Sequence, residues 1–188
     1  MRVLIGEDET LIRLDLRQML ERAQLEVCAE ARDGIQAVEL ARSEKPDLAI
    51  LDVKMPGLDG LEAARRILAE RPIPVVIVSA YTERALVERA ADVGVFGYLA
   101  KPFREEDLLP AIATARARFA ELTAVREEVE TLADALAARK SIERAKGILM
   151  QKESLTEDAA FARLRKASQT SGRPMRLIAE AVVEAFAS

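Results

Sequence analysis

The chain contains no histidine, no tryptophan and a single cysteine, Cys28. Without histidine there are no His-based metal sites, no histidine general bases and no phosphohistidine relay carried by this chain. One cysteine cannot close a disulfide within the chain, and Cys28 stands in an apolar stretch that suits a buried core thiol. Aromatic residues are only 4% of the 188 residues, and the abundance of alanine favours closely packed helices. No apolar run approaches the roughly 20 residues of a membrane span. The N-terminus shows no charged, apolar, small-residue signal pattern. A cytoplasmic protein with no membrane partner is therefore expected. Gly-rich phosphate loops, a Ser-His-Asp set and zinc-ligand spacings are also missing.

Half of the residues are apolar, enough for one sizeable core or two small ones. The net charge of −4 hides an asymmetry. Residues 137–188 carry 10 Lys+Arg against 6 Asp+Glu, leaving 18 against 26 for residues 1–136. An acidic first part and a basic last part point to two tasks, the second with a polyanion.

The first part alternates strand and helix signals. Arg2 to Gly6 reads as a strand ending in Glu7-Asp8-Glu9, and Leu11 to Leu20 recur at helical spacing. Glu26 to Ala31 is a second strand, followed by a helix from Ile35 to Ser43. Leu48-Ala49-Ile50-Leu51 is a short continuous apolar run closed by Asp52, as in a strand buried on both faces. A helix over Asp59–Glu70, the β-branched run Val75–Ser79, a helix ending near Gly94 and a strand Val95–Leu99 complete the series. Five strands alternating with helices predict an α/β fold with a parallel, doubly wound sheet.

In such sheets chemistry gathers beyond the carboxyl ends of the strands. Glu7 and Asp8 follow the first strand, Asp52 ends the third, Ser79 ends the fourth, and Lys101 follows the fifth. Each has an ordinary explanation as a surface charge or helix cap. Together they converge on one edge. Three carboxylates there need a cation, and oxygen-only ligands suit Mg²⁺. With Lys101 neutralising phosphoryl oxygens and Ser79 as a small donor, Asp52 can attack phosphorus in line.

After Phe103 the strand signal ends. Leu108, Ile112, Ala115, Phe119, Leu122, Val125, Val129, Leu132 and Leu136 step by threes and fours, predicting one long amphipathic helix with a bend at Pro110. So long a helix with one apolar face calls for a partner. That partner is either the same helix of a second copy, in a parallel coiled coil, or the chain's own C-terminal part folded back. Three short helices then follow. Ser141–Gln151 continues the pattern. A second helix, capped by Ser154 or Thr156, buries Phe161 and Leu164 and stops at Gly172. A third begins with Pro174 in its first turn and has Leu177, Ile178, Val182 and Phe186 as its apolar face. Gly147, inside a helix, suits close approach of another backbone.

Residues 1 to about 120 resemble the receiver domain of bacterial two-component response regulators, a flavodoxin-like fold. The resemblance rests on Leu4-Ile5-Gly6-Glu7-Asp8, the run Leu51 to Gly60, Ser79-Ala80 and Tyr98-Leu99-Ala100-Lys101-Pro102-Phe103. It implies that Asp52 accepts a phosphoryl group from a sensor histidine kinase acting in trans. It implies Mg²⁺ on Glu7, Asp8, Asp52 and the backbone carbonyl of Lys54, with Lys101 at the phosphoryl group. Ser79 and Tyr98 match the pair that couples phosphorylation to the surface of the fourth and fifth strands. Glu7 stands where many receivers have Asp.

Residues 139–188 resemble the ANTAR domains of transcription antitermination regulators. The match covers Arg139 to Met150, with weaker blocks at Ala160-Phe161, Leu164 to Ser168 and Ala179 to Val182. It implies binding of paired RNA stem-loops in nascent transcripts. The layout of receiver (1–120), long helix (105–138) and ANTAR domain (139–188) is similar to that of actinobacterial ANTAR response regulators. Arg139 and Lys146 are seven apart on one helix face. Arg163, Arg165 and Lys166 lie on the second short helix, and Arg173 and Arg176 frame the third. These residues are the candidate RNA contacts, as phosphate neutralisers and stacking planes; the alternative is a solvated basic face. A homodimer formed on phosphorylation would present two such faces.

Two alternatives come from other classes. One is a phosphorylation-switched module whose helical end binds protein and not RNA. The other is an aspartyl-phosphate hydrolase, and there Lys54 occupies the position two residues past the nucleophile where a second acid is expected. No helix-turn-helix pattern with a basic recognition helix is present, which disfavours DNA.

Overall fold

The apolar runs read from sequence become five parallel strands interleaved with helices in a computed structural model, which describes residues 1–80, 89–90 and 92–186. In order they are β1 (Arg2–Gly6), α1 (Thr10–Arg22), β2 (Glu26–Ala31), α2 (Gly34–Glu44), β3 (Leu48–Asp52), α3 (Gly60–Glu70), β4 (Val75–Ser79) and β5 (Gly97–Ala100). Three helices follow, α4 (Glu105–Glu153), α5 (Glu157–Ser171) and α6 (Met175–Ala185). The chain divides into two compact units, Met1–Thr123 and Ala124–Ser188.

In the first unit the strand order is β2-β1-β3-β4-β5, with every neighbouring pair parallel. All residues of β3 and β4 are buried, because both faces of the sheet are covered. Leu4, Ala49, Leu51, Val75 and Ile77 point to one face, where Ala37 and Ala41 of α2 and Leu61, Ala64 and Ile67 of α3 meet them. Val3, Ile5, Leu48, Ile50, Val76 and Val78 point to the other, under Leu16, Met19 and Leu20 of α1 and Leu108, Ile112 and Ala115 of α4. The alternation of side chains along each strand thus divides one apolar sequence between two cores.

Local chemistry fixes the turns at the carboxyl edge. Asp33 caps α2 by accepting from Gln36 N at 2.8 Å, and Asp59 caps α3 by accepting from Glu62 N at 2.8 Å. A Cβ at Gly60 would lie 1.9 Å from the carbonyl oxygen of Asp52, so only glycine lets α3 start so close to the end of β3. The last strand differs from expectation. It spans Gly97–Ala100 and not Val95–Leu99, because Val95 N bonds back to Ala90 O after Gly94 turns at φ 85°. Most of the helix expected before Gly94 lies outside the described residues.

The expected long helix is α4, continuous through Pro110. Its apolar seam has two fates. Leu108, Ile112 and Ala115 are buried, and Phe119 meets Phe96 edge-to-face with ring centres 5.6 Å apart. Leu122, Val125, Val129, Leu132 and Leu136 are exposed, at 37% to 62%. The stretch from Val125 to Leu136 is left uncovered by the C-terminal helices among the described residues.

The second unit gathers around Ala145, Leu149, Ala160, Leu164 and Ala179, with Ile142, Leu155, Met175, Ile178, Val182 and Val183 at its margin. Thr156 is the cap of α5, accepting from Ala159 N, and Gly172 ends that helix at φ 66°. Several expectations need correction. Phe161 is exposed, because Ala160, at i−4 from Leu164, takes the inward position. On α6, Leu177 faces outward, as does Phe186 at the cap just past its end, and Met175, Ala179 and Val183 share the inner side with Ile178 and Val182. Pro174 is the cap residue before α6, one position outside its first turn. Nothing lies within 4 Å of a Cβ built on Gly147, so no close backbone contact explains that glycine.

Candidate functional site

The parallel register aligns Gly6 with Leu51, Asp52 with Val78 and Ser79 with Ala100, so four strands end along one line. Glu7 and Asp8 project from the end of β1, Asp52 from β3, Ser79 from β4 and Lys101 from the residue after β5. The backbone is pinned on both sides: Glu7 N donates to Ala31 O at 3.0 Å, Val53 N to Val78 O at 3.0 Å, and Lys101 N to Ser79 O at 2.8 Å.

One carboxylate oxygen each from Glu7, Asp8 and Asp52 lie within 4.8 Å of one another. Glu7 is fully buried, Asp52 nearly so, and Asp8 is exposed. Lys101 Nζ stands 2.7 Å from Glu7 Oε2 and 3.1 Å from Asp52 Oδ2. Glu7 Oε1 accepts from Glu9 N at 3.2 Å. Despite the short ion pair, Glu7 Oε2 has no partner with hydrogen-bond geometry and retains acceptor capacity. Burial pushes the Glu7 carboxyl up, with Asp52 adding to it and Lys101 opposing. Asp52 is likewise raised by burial, and Lys101 again opposes. Burial disfavours the charge on Lys101, but the two carboxylates outweigh it and hold its ammonium above the ordinary lysine value. Three carboxylates that bring one oxygen each within 4.8 Å of one another, two of them buried, are a donor set that fits a hard divalent cation.

Ser79 is buried at the same edge. Tyr98 is half-buried on β5 and packs on the α2–α3 side of the sheet. Lys54 is exposed in the loop two residues past Asp52. Sequence reasoning overlooked Arg13. It is 5% exposed, and its Nη1 donates to the carbonyl oxygen of Glu7 at 2.7 Å. The available signal was its place on the apolar stripe of α1, three residues before Leu16 and seven before Leu20.

The basic residues of the second unit divide into groups. Arg139, Arg165, Lys166 and Arg173 are exposed. Arg163 pairs with Glu153, and Arg176 lies 3.6 Å from Asp134 and 3.5 Å from Glu180. Lys146 departs from expectation. It does not share an open face with Arg139; it is 8% exposed, and its Nζ donates to Glu143 at 3.0 Å and to Glu157 Oε1 at 2.6 Å. Those bonds raise the lysine, Glu157 contributing most, and Lys146 lowers Glu157 in return. The cause is the turn between α4 and α5, which brings the acidic first turn of α5 over the lysine.

A five-stranded parallel sheet in this order, with an acidic cluster and a lysine at its carboxyl edge, defines a receiver-type domain. The chain belongs to the response regulators, with a receiver domain followed by an ANTAR domain. The family model for the response regulator receiver domain matches residues 3–113, and that for the ANTAR domain matches residues 130–183. The transcriptional regulatory protein PdtaR of Mycobacterium tuberculosis is 50% identical over 183 residues, 97% of this chain and 89% of its own length. A protein-glutamate methylesterase/protein-glutamine glutaminase of Pyrococcus abyssi is 38% identical over 104 residues, but the match covers only 28% of that protein. The match running nearly the whole chain is thus to a regulator and not to an enzyme. Among solved structures, the response regulator domain of Thermotoga maritima CheB aligns with TM-score 0.58 and 31% identity, over 62% of this chain and 96% of that one. A CheY-like receiver domain protein from Methanospirillum hungatei aligns with TM-score 0.59 and 26% identity, over 64% and 96%. Among the described residues, no helix is long and apolar enough to cross a membrane.

Proposed function

We propose that Asp52 accepts a phosphoryl group from the histidine of a sensor kinase, and that this event controls RNA binding by the ANTAR domain and transcription antitermination. The observation that carries the reading is the convergence of Glu7, Asp8 and Asp52 with Lys101 between Glu7 and Asp52. In the transfer, an Asp52 oxygen forms the new bond to phosphorus as the kinase's nitrogen–phosphorus bond breaks, and the imidazole leaves. Glu7, Asp8, Asp52 and the Lys54 carbonyl would hold Mg²⁺, which when bound would neutralise the phosphoryl oxygens. Lys101 adds a fixed positive charge on the other side. Ser79 and Tyr98 pass the change to the β4–β5 surface.

The output follows from three segments, a receiver over 1–120, a helical connector over 105–138 and the RNA-binding domain over 139–188. The connector pairs with that of a second phosphorylated copy, and two ANTAR domains engage paired stem-loops. Arg139, Arg165, Lys166 and Arg173 are the exposed candidates for phosphate and base contacts, with Arg163 and Arg176 exchanging carboxylate partners for phosphate. The protein is expected in the cytoplasm, where nascent transcripts are. Support comes from the full-length similarity to a transcriptional regulator and from the ANTAR match.

The test is binding to a two-hairpin RNA, with and without a small-molecule phosphodonor and Mg²⁺, while following mass in solution. Tighter binding together with dimerisation, both lost in Asp52→Asn, is the expected result. Phosphorylation without any RNA binding, even at low salt, would move the output to a protein partner.

A further inference from the structure

We propose that Arg13 is a positioning residue for the acidic cluster, whose guanidinium sets the Glu7–Asp8 backbone so that both carboxylates meet one divalent cation with Asp52. The proposal rests on the reading of that cluster as a Mg²⁺ and phosphoryl site. Arg13 Nη1 donates to Glu7 O at 2.7 Å and approaches Asp8 O at 3.4 Å. These are the carbonyls of two cluster residues, and the torsions beside them decide where their carboxylates point. The guanidinium is itself braced. Its Nε lies 3.4 Å from Glu30 Oε2, Glu30 Oε1 accepts from Arg17 Nη1 at 2.6 Å, and Arg17 Nε donates to Glu21 Oε1 at 2.8 Å.

Two observations argue that the brace serves the cluster. First, the turn from β1 into α1 has no side-chain cap; Glu9 stands at the cap position and makes no such bond. The caps Asp33 and Asp59 fix the corresponding turns before α2 and α3. Arg13 holds this turn by other means: it donates to the carbonyl oxygens of Glu7 and Asp8, where Asp33 and Asp59 accept from backbone N–H groups. Second, Arg13 lies on the apolar stripe of α1 with Leu16 and Leu20, where an apolar side chain would pack without the cost of desolvating a cation. A planar fork of donors can hold adjacent carbonyls and a carboxylate together, which a lysine head cannot.

The experiment is calorimetric titration of Mg²⁺ into the unphosphorylated full chain, for wild type, Asp8→Asn, Arg13→Gln and Arg13→Lys, alongside thermal unfolding in metal-free buffer. Asp8→Asn should abolish Mg²⁺ binding. Arg13→Gln should weaken it about tenfold or more, the scale on which outer supports of metal ligands act, and Arg13→Lys should recover part of the loss. A folded Arg13→Gln protein with wild-type Mg²⁺ affinity would overturn the proposal, whatever its Tm. Should Arg13→Gln fail to fold, wild-type affinity in Arg13→Lys overturns it equally. If wild type binds no Mg²⁺, or Asp8→Asn binds as well as wild type, the reading of the cluster fails first and this proposal falls with it.

Discussion

Lys146 Nζ donates to Glu157 Oε1 at 2.6 Å, tying the last turns of α4 to the first turn of α5. A cation used in this way is a fastener before it is a nucleic-acid contact. Replacing Lys146 with Gln should lower the Tm of the ANTAR unit and leave the salt dependence of RNA binding close to that of wild type. Replacing the exposed Lys166 should do the reverse, reducing the slope of log affinity against log salt by about 1 with little change in Tm. RNA titrations at several salt concentrations check both. Equal slopes for the two variants would restore Lys146 as a phosphate contact.

Removing Lys101 leaves two buried carboxylates without their counter-charge. Lys101→Met should destabilise the receiver unit by about 3 kcal/mol in metal-free buffer. Added Mg²⁺ should recover part of the loss, since the cation answers the same repulsion. Urea unfolding with and without Mg²⁺ measures the difference. A deficit that is identical in both buffers would mean the metal and Lys101 do not act on the same charges.

Burial raises the folded-state pKa of Asp52 above its unfolded value, with Lys101 opposing. A raised acid contributes stability that is fully present below the unfolded value, near 4, and is lost as pH rises through the folded value. In metal-free buffer, Asp52→Asn should therefore exceed wild type in stability at pH 7. The gain should vanish as pH approaches 4. Thermal unfolding across that range decides it, and a variant less stable than wild type at pH 7 would reverse the sign argued for this site.

Leu132 is 62% exposed on the seam of α4. Leu132→Lys should prevent association of the phosphorylated protein, measured by sedimentation, and change the stability of the unphosphorylated chain by no more than about 0.5 kcal/mol. Undiminished dimerisation would place the contact between copies elsewhere.

The continuous runs Leu48–Leu51 and Val75–Val78 announced buried strands because a parallel sheet covered on both faces needs apolar side chains on both. The strand-end acids and Lys101 were readable for the same reason, since the topology sends every carboxyl end to one edge. What sequence pattern missed depends on partners distant in the chain. Arg13 stands on the apolar stripe of α1, but what it bonds is visible only when α1 is laid beside the carbonyls of Glu7 and Asp8. Lys146 shared a helical face with Arg139 by spacing alone, and only the turn at Ser154 and Leu155 brought Glu157 over it. Phe161 was expected inward on hydrophobicity, yet the smaller Ala160 fits the close approach of three short helices.

The strand order β2-β1-β3-β4-β5 also has a consequence for how the chain matures on the ribosome. β1 emerges first, yet its two sides are filled only once β2 and β3 have followed, and β5 closes the sheet after residue 97. The acids of the cluster are made early, at positions 7, 8 and 52, while the lysine that pairs with Glu7 and Asp52 follows β5, at position 101. A nascent receiver therefore cannot complete the sheet, or the ion pairs of Glu7 and Asp52, before β5 and the lysine behind it have been made.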